Sequence, residues 1–209
     1  MGPSRLKAGN ERLWALIAAR AEKDADTEDI DRRIWDLFGE RWAVMFTDLS
    51  GFSRSVREFG ILHFLQTIYE HKLLLYPVID AHGGVLVKEE GDSLLLLFRR
   101  VEPALKCAQE MMAACERVNA RRKPEEHILL CLGIGYGDIL RVADHEVWGQ
   151  EVNAASKLGE DRAKAGEILL TDAARIALGD AAPQTLAELT EGVAGTPRSF
   201  RVPPLKSKP

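Results

Sequence analysis

Long uncharged runs are missing from this chain. No stretch approaches the roughly 18 apolar residues that a membrane-crossing helix needs, and the opening MGPSRLKAGNE holds no apolar signal core. No membrane span is therefore expected. Met1-Gly2 begins as a myristoylation motif does, but Leu6 stands where that motif wants Ser or Thr. A basic excess is missing too: 28 Lys and Arg against 32 Asp and Glu leave a net charge of −4, so the whole-chain field does not draw in nucleic acid. Any polyanion must be bound locally, and no nucleic-acid partner is expected. Arg121-Arg122-Lys123 before Pro124 reads as a short solvated loop. Cysteine is scarce, and Cys107, Cys115 and Cys131 are odd in number and embedded in apolar runs, which favours buried reduced thiols and a cytoplasmic protein. His63, His71, His82, His127 and His145 show no ligand spacing, and neither Ser50 nor Ser53 has a His partner that would make it a hydrolase nucleophile. No internal repeat is visible.

What is present is an ordinary globular balance, 46% apolar and 29% charged over 209 residues, enough for one sizeable core with appendages. Leu13, Leu16 and Ile17, and then Ile30, Ile34, Leu37 and Phe38, fall at helical spacing, with Thr27 as a plausible N-cap and Gly39 as a stop. Residues 1–40 therefore read as a helical extension. WAVMFTDL reads as a buried strand, and Gly51 opens a helical stretch that runs to about His82. GGVLVKEE and SLLLLF are two strands joined by Gly91-Asp92, a strong hairpin signal. A helix over about 102–119 buries Ala104, Leu105, Ala108, Met111, Met112 and Cys115, a packed face and not a cofactor box. HILLCLGIGYGDILRV reads as a strand with its return, EVNAASKLGEDRAKA as a helix, EILLT as a strand, 172–178 as a short helix and SFRV as a last strand. Residues 203–209 read as a frayed tail. Hairpins mixed with crossovers predict an α+β sandwich with helices on a mostly antiparallel sheet.

Three segments carry chemistry. Asp48 ends an apolar strand and is followed by Ser50-Gly51-Phe52-Ser53 and a helix start, which suits either a simple helix cap or a joint site for a hard cation and its phosphate. Asp92 sits at a hairpin tip after Gly91, with Lys88 four residues earlier, and taken alone this is a turn. If that hairpin lies beside the strand ending at Asp48, the two carboxylates face each other and raise a pKa, a penalty that divalent cations would remove. In VWGQEVNAASKLGED, Gly149 opens a helix on which Asn153 and Lys157, four apart, share a face.

FTDLSGFSRSV, VKEEGDSLLLLF and VWGQEVNAASKL, in this order and at these separations, resemble the class III nucleotidyl cyclase catalytic domain. Its signatures are Phe-x-Asp-x-x-Gly-Phe, Lys-x-x-Gly-Asp and Gly-x-x-Val-Asn-x-Ala-x-Arg. The resemblance covers about residues 41–178 with a weaker echo at 192–202, and it sets the expected domain at 41–202 with a ferredoxin-like sandwich fold. It implies conversion of a nucleoside triphosphate to a 3′,5′-cyclic nucleotide and pyrophosphate on two Mg²⁺ or Mn²⁺ ions per site. By motif position, Asp48, Asp92 and the Leu49 carbonyl would hold the metals, and Gly51, Phe52 and Ser53 would cradle phosphate.

The same resemblance puts base reading on Lys88 and Glu146, ribose orientation on Asn153 and the α-phosphate on Lys157, where the family pattern has Arg. An ammonium and a carboxylate complement the N1 acceptor and N6 donor of adenine, so ATP is the favoured substrate, although Lys with Glu could also satisfy guanine. Glu90 departs from the usual apolar residue and could neutralise Lys88 or reach a metal. The family's C-terminal phosphate-binding Lys has no clear match, with Arg198 as a possible substitute. In this family one site draws its metal half and its nucleotide half from opposite chains, which implies a homodimer. Two other readings remain: a cyclase acting on GTP or a pyrimidine triphosphate, and an inert nucleotide-binding or dimerisation module.

Overall fold

The computed structural model describes residues 4–50, 60–189, 193 and 195–204. Gly51, Phe52 and Ser53, and with them the expected start of a helix at Gly51, lie outside the described residues. Helices α1 (Ser4–Arg20) and α2 (Thr27–Phe38) come first. Asp26, not Thr27, caps α2: its carboxylate accepts from the Asp29 N–H at 3.1 Å, satisfying one of the donors a helix start leaves free. Strand β1 (Gly39–Leu49) follows at once, then α3 (Ile61–Ala81), the hairpin β2 (Val85–Glu90) and β3 (Ser93–Phe98), and α4 (Val101–Asn119). Strands β4 (Leu130–Val142) and β5 (Glu146–Trp148), helix α5 (Gln150–Ser156) with a π-helical turn over Lys157–Arg162, β6 (Glu167–Thr171), α6 (Asp172–Leu178), β7 (Ala187–Glu188) and β8 (Ser199–Arg201) complete the chain.

The sheet runs β2-β3-β1-β4-β6-β8-β7, with β5 also paired to β4. Among the described residues only the β4–β6 pair is parallel. This is the mostly antiparallel, helix-flanked sandwich that the alternation of hairpins and helices predicts. Both faces of the sheet are buried, which explains strands without polar alternation such as SLLLLF. Ala43, Met45, Leu94, Leu96 and Phe98 pack against α3 and α4, whereas Trp42, Val44, Leu95 and Leu97 meet Val152 and Ala155 of α5. Cys107, Cys115 and Cys131 are buried free thiols, and burial pushes their pKa values up to about 12, 12 and 11. Among the described residues no helix is long and apolar enough to cross a membrane.

One element differs from its expected form. HILLCLGIGYGDILRV does not turn back on itself but makes a single 13-residue strand, and its return is the short β5. The glycines of this strand serve close approach. A Cβ on Gly133 would lie 2.2 Å from the Ala155 carbonyl oxygen, and one on Gly135 would lie 2.7 Å from that of Glu151. Removing side chains here lets α5 lie directly on β4. The N-terminal helices also rest on this strand: Leu13, Ile34, Phe38 and Val142 form a cluster joined by Leu16, Ile17, Ile30 and Leu140.

Candidate active site

Pairing of β1 with β3 brings Asp48 beside the β2–β3 turn, where Gly91 adopts φ 58°, a left-handed conformation that a glycine takes without strain. Ser93 Oγ donates to Asp48 Oδ1 at 3.2 Å, and Asp92 is 9% exposed with its Oδ2 buried and unpartnered. Burial, and then the nearby charge of Asp48, push the Asp92 carboxyl up to about 6. Burial likewise raises Asp48, against hydrogen bonds from Ser93 and the Leu49 backbone. Among the described residues no group of three or more His, Cys, Asp or Glu side chains forms a metal cluster. What exists is a converging pair with an orphaned buried oxygen, and a divalent cation fits it: it would satisfy Asp92 Oδ2, offset the burial that raises both groups and cancel the Asp48 charge that further raises Asp92.

A second feature lies beside this pair. A cavity of about 330 Å³ is bounded by Phe46, Lys88, Glu90, Ser93, Glu146 and Trp148, with Glu160 also at its wall. The sheet therefore brings together Lys88 from β2 and Glu146 from β5, residues far apart in sequence. Lys88 is ion-paired with Glu90 two residues on, so of the two roles foreseen for Glu90 the geometry shows the neutralising one. Both side chains are more than half exposed, and such a pair contributes at most about 1 kcal/mol.

Asn153 and Lys157 lie on α5 and at the start of its π-helical turn, and both are exposed. Their helix is fixed by Glu151, whose Oε2 accepts from the Tyr136 N–H at 3.0 Å and from Thr171 Oγ1 at 2.7 Å. Nothing in the sequence marks Glu151 for this; the signal is the bare Gly133–Gly137 stretch that leaves room for it. The π-helical turn sends Glu160 back to the cavity, where it accepts from Ser156 Oγ at 2.7 Å. Sequence reasoning missed Ser93, Glu151 and Glu160. Arg198 is bonded to Asp172 at 3.1 Å and is engaged there, at the β8–α6 corner.

A family model described as the adenylate and guanylate cyclase catalytic domain matches residues 39–191. Among curated relatives, "Putative adenylate cyclase 3" of Rhizobium meliloti (strain 1021) is 30% identical over 131 residues, 62% of this chain but 22% of that protein. The chain thus spans about a fifth of that relative's length. Among solved structures, the adenylate/guanylate cyclase/hydrolase from Silicibacter pomeroyi superposes with a TM-score of 0.68 at 24% identity, covering 78% of this chain and 96% of that one. The guanylyl cyclase Cya2 gives 0.65 at 20% identity, covering 78% and 90%. At these identities both structures speak for the fold.

Proposed function

The chain belongs to the adenylate and guanylate cyclase catalytic-domain family, and from that premise we propose that it converts ATP to 3′,5′-cyclic AMP and pyrophosphate in the cytoplasm. The observation that carries the base assignment is the cavity bordered at once by Lys88 and Glu146. An ammonium donor opposite a carboxylate acceptor matches the Watson–Crick edge of adenine, which accepts at N1 and donates at N6.

In this reading the ribose 3′ hydroxyl gives up its proton to water as its oxygen attacks the α-phosphorus in line, the 3′-O–P bond forms, and the bond to the bridging oxygen of pyrophosphate breaks. Asp48 and Asp92, with the Leu49 carbonyl, would hold two Mg²⁺ or Mn²⁺ ions. When bound, these ions supply Lewis acidity at the 3′ hydroxyl and neutralise charge on the departing pyrophosphate. By motif position Gly51, Phe52 and Ser53, which lie outside the described residues, are assigned to the phosphates. Asn153 orients the ribose, and Lys157 places a point charge at the α-phosphate.

The working unit is a homodimer, with metal-binding and nucleotide-binding halves drawn from opposite protomers. Two features support this. Asn153 and Lys157 stand exposed on α5, and α3 leaves Leu62, Leu65, Tyr69 and Leu73 between 52% and 78% exposed along one face. A specific feature also favours a GTP-acting alternative: Glu90 and Glu160 add carboxylates to the cavity wall, and guanine donates from N1 and N2.

The test is to incubate purified protein with each of the four ribonucleoside triphosphates and Mn²⁺ and to identify products by mass spectrometry. Cyclic AMP from ATP is expected. A cyclic product from GTP, CTP or UTP alone overturns the adenylyl assignment, and no product from any of the four supports an inert module.

A further inference from the structure

The docked N-terminal helices reach the cavity from behind. Strands β4 and β5 are joined through Ala143, a non-glycine at φ 56°, so Glu146 begins a short strand whose position follows the end of β4. That end is where Val142 and Leu140 pack into the cluster of Leu13, Ile34 and Phe38. From the same helix α1, Asn10 points its amide at Glu146: Asn10 Nδ2 lies 3.5 Å from Glu146 Oε1. Its other atom, Oδ1, is buried and has no partner. Turning the amide over would set Oδ1 against a carboxylate oxygen, acceptor to acceptor, so the donating orientation is the one the chemistry allows. A buried carbonyl left unpartnered is a cost to the fold, and what Asn10 gives in return is its N–H to Glu146.

We propose that Asn10 is a specificity-positioning residue that acts through Glu146 to favour adenine over guanine. The proposal rests on the assignment of Glu146 to the base. A carboxylate is a symmetric acceptor, and free in a pocket it takes the paired N1–H and N2–H donors of guanine in bidentate fashion, one per oxygen. Each carboxylate oxygen accepts through two lone pairs, so Asn10 does not block Oε1; its N–H draws that oxygen, and with it the carboxylate plane, toward α1 and leaves Oε2 for the base. One oxygen suffices for the N6 amino group of adenine, which offers a single donor along that edge beside the N1 acceptor facing Lys88. Guanine, whose two donors need both oxygens turned to its edge, would have to rotate the carboxylate away from Asn10 or share Oε2 between them. Selectivity at the cavity is thus tied to a helix outside the sheet, and a displacement of α1 relaxes it.

The experiment uses the full chain with Asn10→Leu and Asn10→Ala, and reads both equilibrium binding of 3′-deoxy-ATP and 3′-deoxy-GTP by calorimetry and kcat/KM for ATP and GTP. Losing one hydrogen bond to a charged group should shift the ATP:GTP ratio about five- to tenfold toward GTP. Asn10→Leu removes the orphaned carbonyl, so its melting temperature should hold or rise, which separates the shift from unfolding. Asn10→Gln, which can still donate, should recover part of the ratio. An unchanged ratio in folded Asn10→Leu and Asn10→Ala protein overturns the proposal. The wild-type preference is decided separately: a wild type that favours GTP defeats the adenylyl assignment, while the change in ratio on substitution still judges Asn10.

Discussion

The strand ends that carry Asp48 and Asp92 and the helix face that carries Asn153 and Lys157 are built on opposite terms. Burial raises the pKa of both acids and the nearby charge of Asp48 raises Asp92 further, with Asp92 9% exposed and one of its oxygens unpartnered. The fold bears a cost there that a cation would lift. Asn153 and Lys157, in contrast, are exposed on a helix clamped from its far side by Glu151, and their placement costs the fold little. One half is strained in isolation and the other idle in isolation. That asymmetry is what a site completed only by a second copy would show, and it can be probed from either half.

The largest effect should come from breaking each half on a different protomer. Asp48→Ala and Asn153→Ala should each lose on the order of 100-fold or more in kcat, since charge stabilisation by a bound metal and correct orientation of the ribose are each worth several kcal/mol. Mixed in equal amounts and allowed to exchange, half of the dimers are mixed, and each mixed dimer has one intact site. About one quarter of wild-type activity should return. The measurement is cyclic nucleotide formed as a function of mixing ratio. A dimeric mixture that stays at the level of the single variants would show that the two halves serve the same protomer's site.

Next in size is the cost of the acid pair itself. Asp92 has a folded pKa of about 6 against an ordinary 3.8, so the folded chain binds the proton more tightly than the unfolded one. The contribution of that proton to stability is complete below pH 3.8 and is lost as pH rises through about 6. At pH 7.5, without divalent cations, the buried charge is a liability of about 1–3 kcal/mol. Asp92→Asn should therefore raise the melting temperature at pH 7.5, leave it unchanged below pH 4, and abolish turnover. Adding Mn²⁺ should stabilise the wild type and not the variant. Equal melting temperatures for the two proteins across pH 4–8 would mean that Asp92 carries no such cost.

How much of this was legible beforehand differs by residue. The Gly91-Asp92 hairpin and the helix opened by Gly149 are set by local chemistry, a left-handed glycine at one and an extended glycine just before the helix at the other, so spacing alone finds them. That Asp48 would meet Asp92 needed one further assumption, that the hairpin pairs with β1, and the register of β1 with β3 supplies it. Where the strand HILLCLGIGYGDILRV ends and its return begins was not legible, because glycine serves both turns and close approaches and only the helix above β4 tells which. Ser93, Glu151 and Asn10 were not legible at all. Their partners lie 45, 15 to 20 and 136 residues away, and no local pattern encodes such contacts. The reading of residues 1–40 as an extension had no means of foreseeing that α1 touches Glu146.

The smallest effect should come from repairing the idle half. Lys157 stands where the family pattern has Arg, and the two differ in how they meet a phosphate: a planar fork grips two oxygens, whereas an ammonium offers one compact charge. Lys157 is exposed at the first position of the π-helical turn, so a longer side chain meets no wall there. Lys157→Arg should raise kcat about three- to tenfold and leave KM little changed, because the extra hydrogen bond forms as charge develops on the α-phosphate oxygens rather than in the bound ground state. Melting temperature should not move, since the residue makes no contact that the fold depends on. A rate unchanged by the substitution would take Lys157 away from the α-phosphate and leave Asn153 as the one polar group on that helix face with a role in the reaction. A rise in KM without a rise in kcat would place Lys157 instead on the part of the triphosphate that is bound equally before and during reaction.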